Sequence, residues 1–466
     1  MRILYIDIDS LRPDHLGCYG YGRHLSPTID AIAARGTLFT RCYASDAPCL
    51  PSRAALFSGR LGIRNGVTCH EGPGAEFRYA GRGHWHDPEA PMLMRVFQKA
   101  GWRTVCFSGF AQRHLAWWFS AGFTEFYGNQ LPGGPESAEE VNALVLPWLR
   151  QHGRSDRWFL HVNYWDVHTP YNAPEAFIRK AADQPPPAFP DEATIARHYE
   201  TIYGPRTARD WWSGRTTDWR SRNKNMPDQI RDRASFIQFV NGYDGGIAYV
   251  DWAVGQLLET LEDLGVREET AIIVSSDHGE AIGELGMYFE HGTATEGVHR
   301  LPLIIDWPGL PGGLRCEALL YQLDLAPTLL DLLGWPVPSG WDGQSFAPAL
   351  RGEPLAGALS HGRWVSLGKG LSRGRPFQAL PPHTTRRWER SSAASTPAQV
   401  LIPRIPRARH RNRPMACSTR LLVAGTPQTL RSRVYRPHSS ESRSQTLANS
   451  PKDPSFLFPT PCTTCR

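Results

Sequence analysis

The stretch Arg2-Ile3-Leu4-Tyr5-Ile6-Asp7-Ile8-Asp9-Ser10 sets aspartates into an apolar, β-rich run. A run of this kind reads as a strand buried on both faces, as in parallel sheets covered by helices. The predicted strand, residues 2–8, delivers Asp7 and Asp9 near its carboxyl end, where ligands bind in open α/β sheets. Two later runs repeat the design. Residues 158–165 lead into Asp166-Val167-His168-Thr169-Pro170-Tyr171, and residues 270–275 into Ser276-Asp277-His278-Gly279-Glu280. Helical and strand patterns alternate around them. A helix starts at Pro27 behind Ser26 and stops at Gly36, and a strand covers 37–43. A helix over 89–100 precedes a strand over 103–108; a long amphipathic helix covers 243–264, a strand 301–306 and a helix 323–333. The expected fold is α/β, with a large, mostly parallel or mixed sheet flanked by helices.

After the 37–43 strand comes Cys49-Leu50-Pro51-Ser52-Arg53. It puts a thiol, a rigid proline, a hydroxyl and a guanidinium at the mouth of a predicted helix. Unpaired N–H groups and the positive end of the dipole make such a mouth an anion site. The layout suits a nucleophile beside an anion; a buried cysteine before an ordinary helix is the other reading.

At 466 residues the chain has room for one large domain and a smaller piece. Its 51 basic and 45 acidic residues are unevenly spread: residues 371–466 hold 17 and 3, leaving 34 and 42 before them. The body is therefore acidic, which argues against a nucleic-acid surface on the folded part. Residues 366–466, with sixteen arginines and thirteen prolines after position 370, lack any sustained apolar period. Two readings of this tail stand, a disordered basic arm and a shifted reading frame that truncates or scrambles a C-terminal subdomain. Catalytic residues then fall within 1–365, with 180–235 as a surface insertion. Nine cysteines at irregular spacings, no leader and no apolar run of about 18 residues point to free thiols, a cytoplasmic location and no membrane span.

Taken together the motifs resemble the sulfatase family of the alkaline-phosphatase-like superfamily. Cys49 to Arg53 matches the family signature (Cys or Ser, any residue, Pro, a small residue, Arg), with the usual ending at Gly59-Arg60. Asp9 to Asp14, followed by Leu16-Gly17-Cys18-Tyr19-Gly20, resembles the first metal segment, and Ser276 to Glu280 the second. Trp165 to Tyr171 resembles the histidine loop, and Asp324-Leu325-Ala326-Pro327-Thr328 the late helix. The resemblance implies a sulfuric ester hydrolase acting on a small-molecule or saccharide sulfate ester. It implies that a maturation enzyme oxidises Cys49 to formylglycine, whose hydrate attacks sulfur with one hydroxyl and expels sulfate with the other. Arg53 would hold that hydrate, His168 would assist the leaving group, and Asp9, Asp277 and His278 would bind a divalent metal.

Ser10 stands where many members carry a second acid, so Ca²⁺ is implied but Mg²⁺ or Mn²⁺ stays open. His291 stands where the family has a lysine, and Gln112-Arg113-His114-Leu115 replaces Gly-Lys-Trp-His-Leu. His114 and His291 are therefore the expected substrate contacts, titrating near neutrality, with activity falling as pH rises through their transitions. Plain readings remain beside these: Asp9 as a strand-end cap, Asp277-His278 as a turn, His168 facing solvent, Arg53 paired to a helix acid, His114 and His291 as scaffold. The alternatives at the level of function are a phosphonate monoester or phosphodiester hydrolase of the same superfamily, an inactive sulfatase-like protein, and a tail that binds nucleic acid.

Overall fold

A computed structural model describes residues 1–78, 90–128, 136–201, 206–209 and 226–355. All belong to one compact unit spanning Met1–Glu389. The tail from 366 onward lies outside the described residues.

Nine strands form one sheet: β1 Arg2–Ile8, β2 Thr37–Tyr43, β3 Arg103–Phe107, β4 Glu125–Tyr127, β5 Trp158–Tyr164, β6 Thr270–Ser275, β7 Arg300–Asp306, β8 Leu314–Cys316 and β9 Leu320–Tyr321. Their order is β4-β3-β5-β1-β6-β7-β2-β8, with β9 also on β2. Only β7 runs against its neighbours, pairing antiparallel with β6 and β2. The sheet is thus the mostly parallel, mixed one expected.

The strand β1 lies at its centre, and Asp7 is in register with Asn163 of β5 and Ser275 of β6. The carboxyl ends of these three adjacent strands therefore open side by side. Every residue of β1, β5 and β6 is buried. The period-two alternation sends Leu4, Ile6 and Ile8 into one apolar cluster and Ile3 and Tyr5 into the other. Helices Pro27–Arg35, Ala138–His152 and Arg233–Asp263 cover the first face; Cys49–Ser58, Leu93–Lys99 and Leu325–Leu332 cover the second.

Some elements differ from expectation. The long helix begins at Arg233 rather than Tyr243, behind an Asp232–Ser235 capping box. Gly242, Gly245 and Gly246 interrupt its apolar pattern for a packing reason. A Cβ on Gly246 would lie 2.3 Å from the Asp166 carbonyl oxygen, and one on Gly245 2.8 Å from Ile178. The helix over 89–100 is shorter, Leu93–Lys99. The described part of 180–235 is not irregular throughout, since Glu192–Glu200 is a helix capped by Asp191.

Candidate active site

The site is built on the mouth of the Cys49–Ser58 helix. Ser52 Oγ donates to the Asp277 carbonyl (2.6 Å) and meets Gln322 Oε1 at 2.8 Å, while Gln322 Nε2 donates to the Ser276 carbonyl (2.6 Å). The small residue of the signature thus ties the helix start to the end of β6. Pro51 sits in the first turn, where a missing N–H costs no helical bond.

One turn on, Arg53 is fully buried among three carboxylates. Its Nε donates to Asp7 Oδ2 (2.8 Å), and its Nη1 to Asp9 Oδ2 (2.9 Å) and Asp277 Oδ2 (2.5 Å). Among the described residues its Nη2 has no hydrogen-bond partner. Such an orphaned buried donor costs about 1–3 kcal/mol, and an oxygen of a bound anion would satisfy it. Phe110 and Trp165 wall the guanidinium, with ring centroids 4.8 and 5.5 Å away. Arg53 is therefore no surface helix-end pair. Asp7, noticed in the sequence but given no role, is held from behind by His161 Nε2 at 3.2 Å.

Cys49 is 1% exposed, with Sγ 3.1 Å from His278 Nε2. Burial, then Asp9 and Asp277, push its thiol well above the usual range, so it is a neutral thiol and a poor nucleophile. Asp9 is held well below the carboxylate range: burial opposes this, but Arg53, His168 and His278 prevail. Asp277 goes the other way, pushed up to about 7 by burial and by Asp9 against the pull of Arg53. The two differ because they share one guanidinium nitrogen.

Asp9, Cys49, Asp277 and His278 bring one donor atom each to within 4.8 Å of one another. His278 Nδ1 donates to the Gly279 carbonyl (2.8 Å), which leaves the Nε2 lone pair facing Asp277 Oδ2 at 3.4 Å and Asp9 Oδ1 at 3.8 Å. A lone pair aimed at two carboxylates is unfavourable unless a cation lies between them. Accordingly Asp277 and Asp9 raise the His278 pKa although burial opposes it. With all three buried carboxylates ionised, as metal binding requires, one guanidinium leaves two negative charges, which a divalent ion balances. The residues fit a divalent metal.

The histidines form a second wall, which joins the first where His291 stacks on His278. His168 is buried, its Nδ1 donating to the Thr169 carbonyl (2.6 Å). His291 stacks on His278 (5.0 Å, 12°) and lies 5.1 Å from the His168 ring, and Cys49, His168 and His291 also converge within 4.8 Å. His114 is half-buried against His70 (4.8 Å) and Phe110 (4.9 Å). The plain reading of His168 as solvent-facing is overturned, and all eight expected residues lie around one centre.

Their expected titration near neutrality is not upheld. Burial, then His70 and Arg113, push His114 down to about 2; burial and Arg113 push His168 to about 3; burial, Arg206 and His278 push His291 well below its ordinary value. These rings are neutral across the physiological range because burial leaves too little solvent to support their charge.

Three contributors were missed. His70 Nε2 accepts from the Leu50 N–H at 3.2 Å, with no nearby motif to announce it. Tyr243 pins the loop after β1, donating to the Ser10 carbonyl (2.7 Å) and accepting from the Arg12 N–H (2.9 Å). Arg113 lies 4.6 Å over the Trp165 ring, and the segment containing it had been read for His114 alone.

Residues 2–335 match the family described as Sulfatase. The chain belongs to the sulfatase family. It is 26% identical to the steryl-sulfatase of Rattus norvegicus, over 75% of this chain and 70% of that one. It is 24% identical to an arylsulfatase of Clostridium perfringens, over 74% and 77%. The ulvan-active sulfatase of Formosa agariphila is matched at 24% identity over 65% of its own length. This sulfatase is similar in fold to a phosphonate monoester hydrolase of Agrobacterium radiobacter (TM-score 0.56, 23% identity, 76% and 78% covered). It is also similar to a protein solved with its substrate D-glucosamine-2-N,6-O-disulfate (TM-score 0.58, 21% identity, 76% and 80% covered). Membership makes the chain a sulfuric ester hydrolase.

Proposed function

We propose that this sulfatase cleaves a sulfate monoester with a formylglycine made from Cys49 by a maturation enzyme. The supporting observation is a neutral, buried thiol touching His278, beside a fully buried Arg53 with one donor unused. A thiol in this setting is a poor catalyst, whereas an aldehyde hydrate at the same position supplies an oxygen nucleophile. Asp9, Asp277 and His278 would hold the divalent metal, Ca²⁺ first and Mg²⁺ or Mn²⁺ as the alternatives, and the ion would supply Lewis-acid stabilisation of charge on the ester oxygens.

The chain's own residues do the remaining work. Arg53 fixes both metal-side carboxylates and offers Nη2 to an anionic oxygen. His168, with Nδ1–H on the Thr169 carbonyl, presents Nε2 to the site. It is neutral in the free protein, so protonating a leaving oxygen requires it first to gain a proton, which the negative charge of a bound ester favours. His114 and His291 contribute neutral polar surface.

Mass analysis of the peptide carrying Cys49, from a host with the maturation enzyme, tests the reading. The expected product has CHO in place of CH2–SH; an unmodified thiol in an active preparation overturns it. Comparing kcat/KM on 4-nitrophenyl sulfate with that on an aryl phosphonate and an aryl phosphodiester tests the ester class. Sulfate is expected to lead.

We further propose that catalysis resides in 1–365, that 366–466 plays no part in it, and that the protein is cytoplasmic. Truncation after residue 365 should leave kcat/KM unchanged, and a fluorescent fusion should stay in the cytoplasm.

A further inference from the structure

The cleft holds two donor sets of opposite character that meet at Cys49. Asp9, Asp277 and His278 offer mainly carboxylate oxygen, which suits a hard divalent ion. Cys49, His168 and His291 bring one sulfur and two imidazole nitrogens to within 4.8 Å of one another, and all three residues are buried. Sulfur with two imidazoles is the composition that selects borderline and soft ions over Ca²⁺ or Mg²⁺.

We propose that, while Cys49 is still a thiol, Cys49, His168 and His291 bind a Zn²⁺ ion at a site distinct from that of the hard metal. Both imidazoles are backed as metal-bound histidines are. His168 Nδ1 donates to the Thr169 carbonyl (2.6 Å), and His291 Nδ1 faces Glu280 Oε1 at 3.5 Å. Among the described residues, His291 Nδ1 and Glu280 Oε1 have no hydrogen-bond partner, and a His291 ring ordered by a metal satisfies both at once. A proton on each Nδ1 leaves both Nε2 atoms with their lone pairs, the form in which imidazole ligates metal. Burial already keeps the two rings neutral. Only Cys49 must change: its S–H bond breaks, an S–Zn bond forms, and the proton leaves to solvent. Asp9 and Asp277 disfavour a lone thiolate but favour a cation beside it. Three protein ligands leave the fourth tetrahedral position to water.

Conversion of Cys49 to formylglycine replaces the sulfur by oxygen, which removes the soft ligand and leaves Asp9, Asp277 and His278 in place. Maturation thereby changes the metal that the cleft prefers, from Zn²⁺ to an oxygen-seeking ion. The zinc site itself does not rest on the formylglycine reading; this consequence does.

The test uses the full chain made in a host without the maturation enzyme, its Cys49 thiol verified by intact mass. Co²⁺, a spectroscopic stand-in for Zn²⁺, should give a thiolate-to-cobalt charge-transfer band that Zn²⁺ abolishes and that Cys49→Ser lacks. His291→Phe should weaken the calorimetric Kd for Zn²⁺ by more than about 100-fold, beyond the range for losing a backing group alone. No thiolate band in the wild-type chain overturns the site. So does a band that survives His291→Phe with an unchanged Kd, which puts the ion on Asp9, Cys49, Asp277 and His278 instead. If His291→Phe does not fold, zinc-edge X-ray absorption of the wild-type complex decides: one sulfur and two imidazoles are expected, and carboxylate oxygens with one imidazole overturn the site. An unmodified thiol in an active preparation removes the formylglycine reading and leaves the zinc site standing; a thiol form that binds no Zn²⁺ does the reverse.

Discussion

The two walls of the cleft solve opposite electrostatic problems. On the strand-end side, Asp7, Asp9, Asp277, Arg53 and His278 are charged or polar groups taken wholly out of water and held by one another. On the other, His114, His168 and His291 have been relieved of charge by burial. The first wall depends on pairing, because an unpaired buried charge is far more costly than an exposed one. The second tolerates incomplete pairing, since a neutral ring loses much less on leaving water. Catalytic charge is thus concentrated on one side.

The most severe way to break this contrast is Arg53→Met, which leaves three carboxylates facing one another. A loss of about 3–5 kcal/mol in unfolding free energy is expected by chemical denaturation, together with loss of turnover. A Tm equal to that of wild type would show that the carboxylates do not rely on the guanidinium. Next is Cys49→Ser, which changes little volume and removes no charge. Stability should shift by less than about 1.5 kcal/mol while 4-nitrophenyl sulfate hydrolysis falls to background in a host whose maturation enzyme requires cysteine. Retained hydrolysis would mean that Cys49 is not the precursor of the nucleophile.

Chelation addresses the same wall by another route. Removing a divalent ion present at 100 times its Kd should cost about 2.7 kcal/mol, seen as a lower Tm restored by Ca²⁺, Mg²⁺ or Mn²⁺. No change in Tm with chelator would refute the assignment of Asp9, Asp277 and His278. The effect that is smallest near neutral pH belongs to the histidine wall. The folded pKa of His114, about 2, lies below the unfolded value near 6.5, so the unfolded chain binds the extra proton between them. Its contribution is complete above pH 6.5 and is lost at about 1.4 kcal/mol per pH unit as pH falls toward 2. His114→Gln should flatten the acid limb of the stability curve by that slope; an unchanged limb would show that His114 is charged in the folded chain.

The first wall was also the more legible. Buried strands announce themselves by continuous apolar runs, and a carboxylate at the end of such a run has few structural uses, so Asp9 and Asp277 stood out. Cys49 and Arg53 were marked by the company of Pro51 and Ser52. Asp7 was visible but carried no signal of its partner, since pairing with Arg53 depends on how the helix mouth crosses β1. The positions of His114 and His291 were foreseen, whereas their protonation was not, because burial is a tertiary property that spacing cannot supply. Arg113 was overlooked since its stacking partner, Trp165, is 52 positions away in the chain. Residues 233–242 were hidden for a similar reason: Gly242 interrupts the helical period because it packs against Tyr171, in the segment after β5.

That contact has a mechanical side. Where Gly245 and Gly246 strip the long helix of side chains, the backbone at Asp166 and Ile178 rests directly on the helical backbone. Flexible side chains elsewhere act as a cushion that absorbs small movements by changing rotamer. Here the cushion is missing, so the segment carrying His168 follows the helix as a rigid coupling, and its position is set by a path of main chain running back to the Asp232 cap.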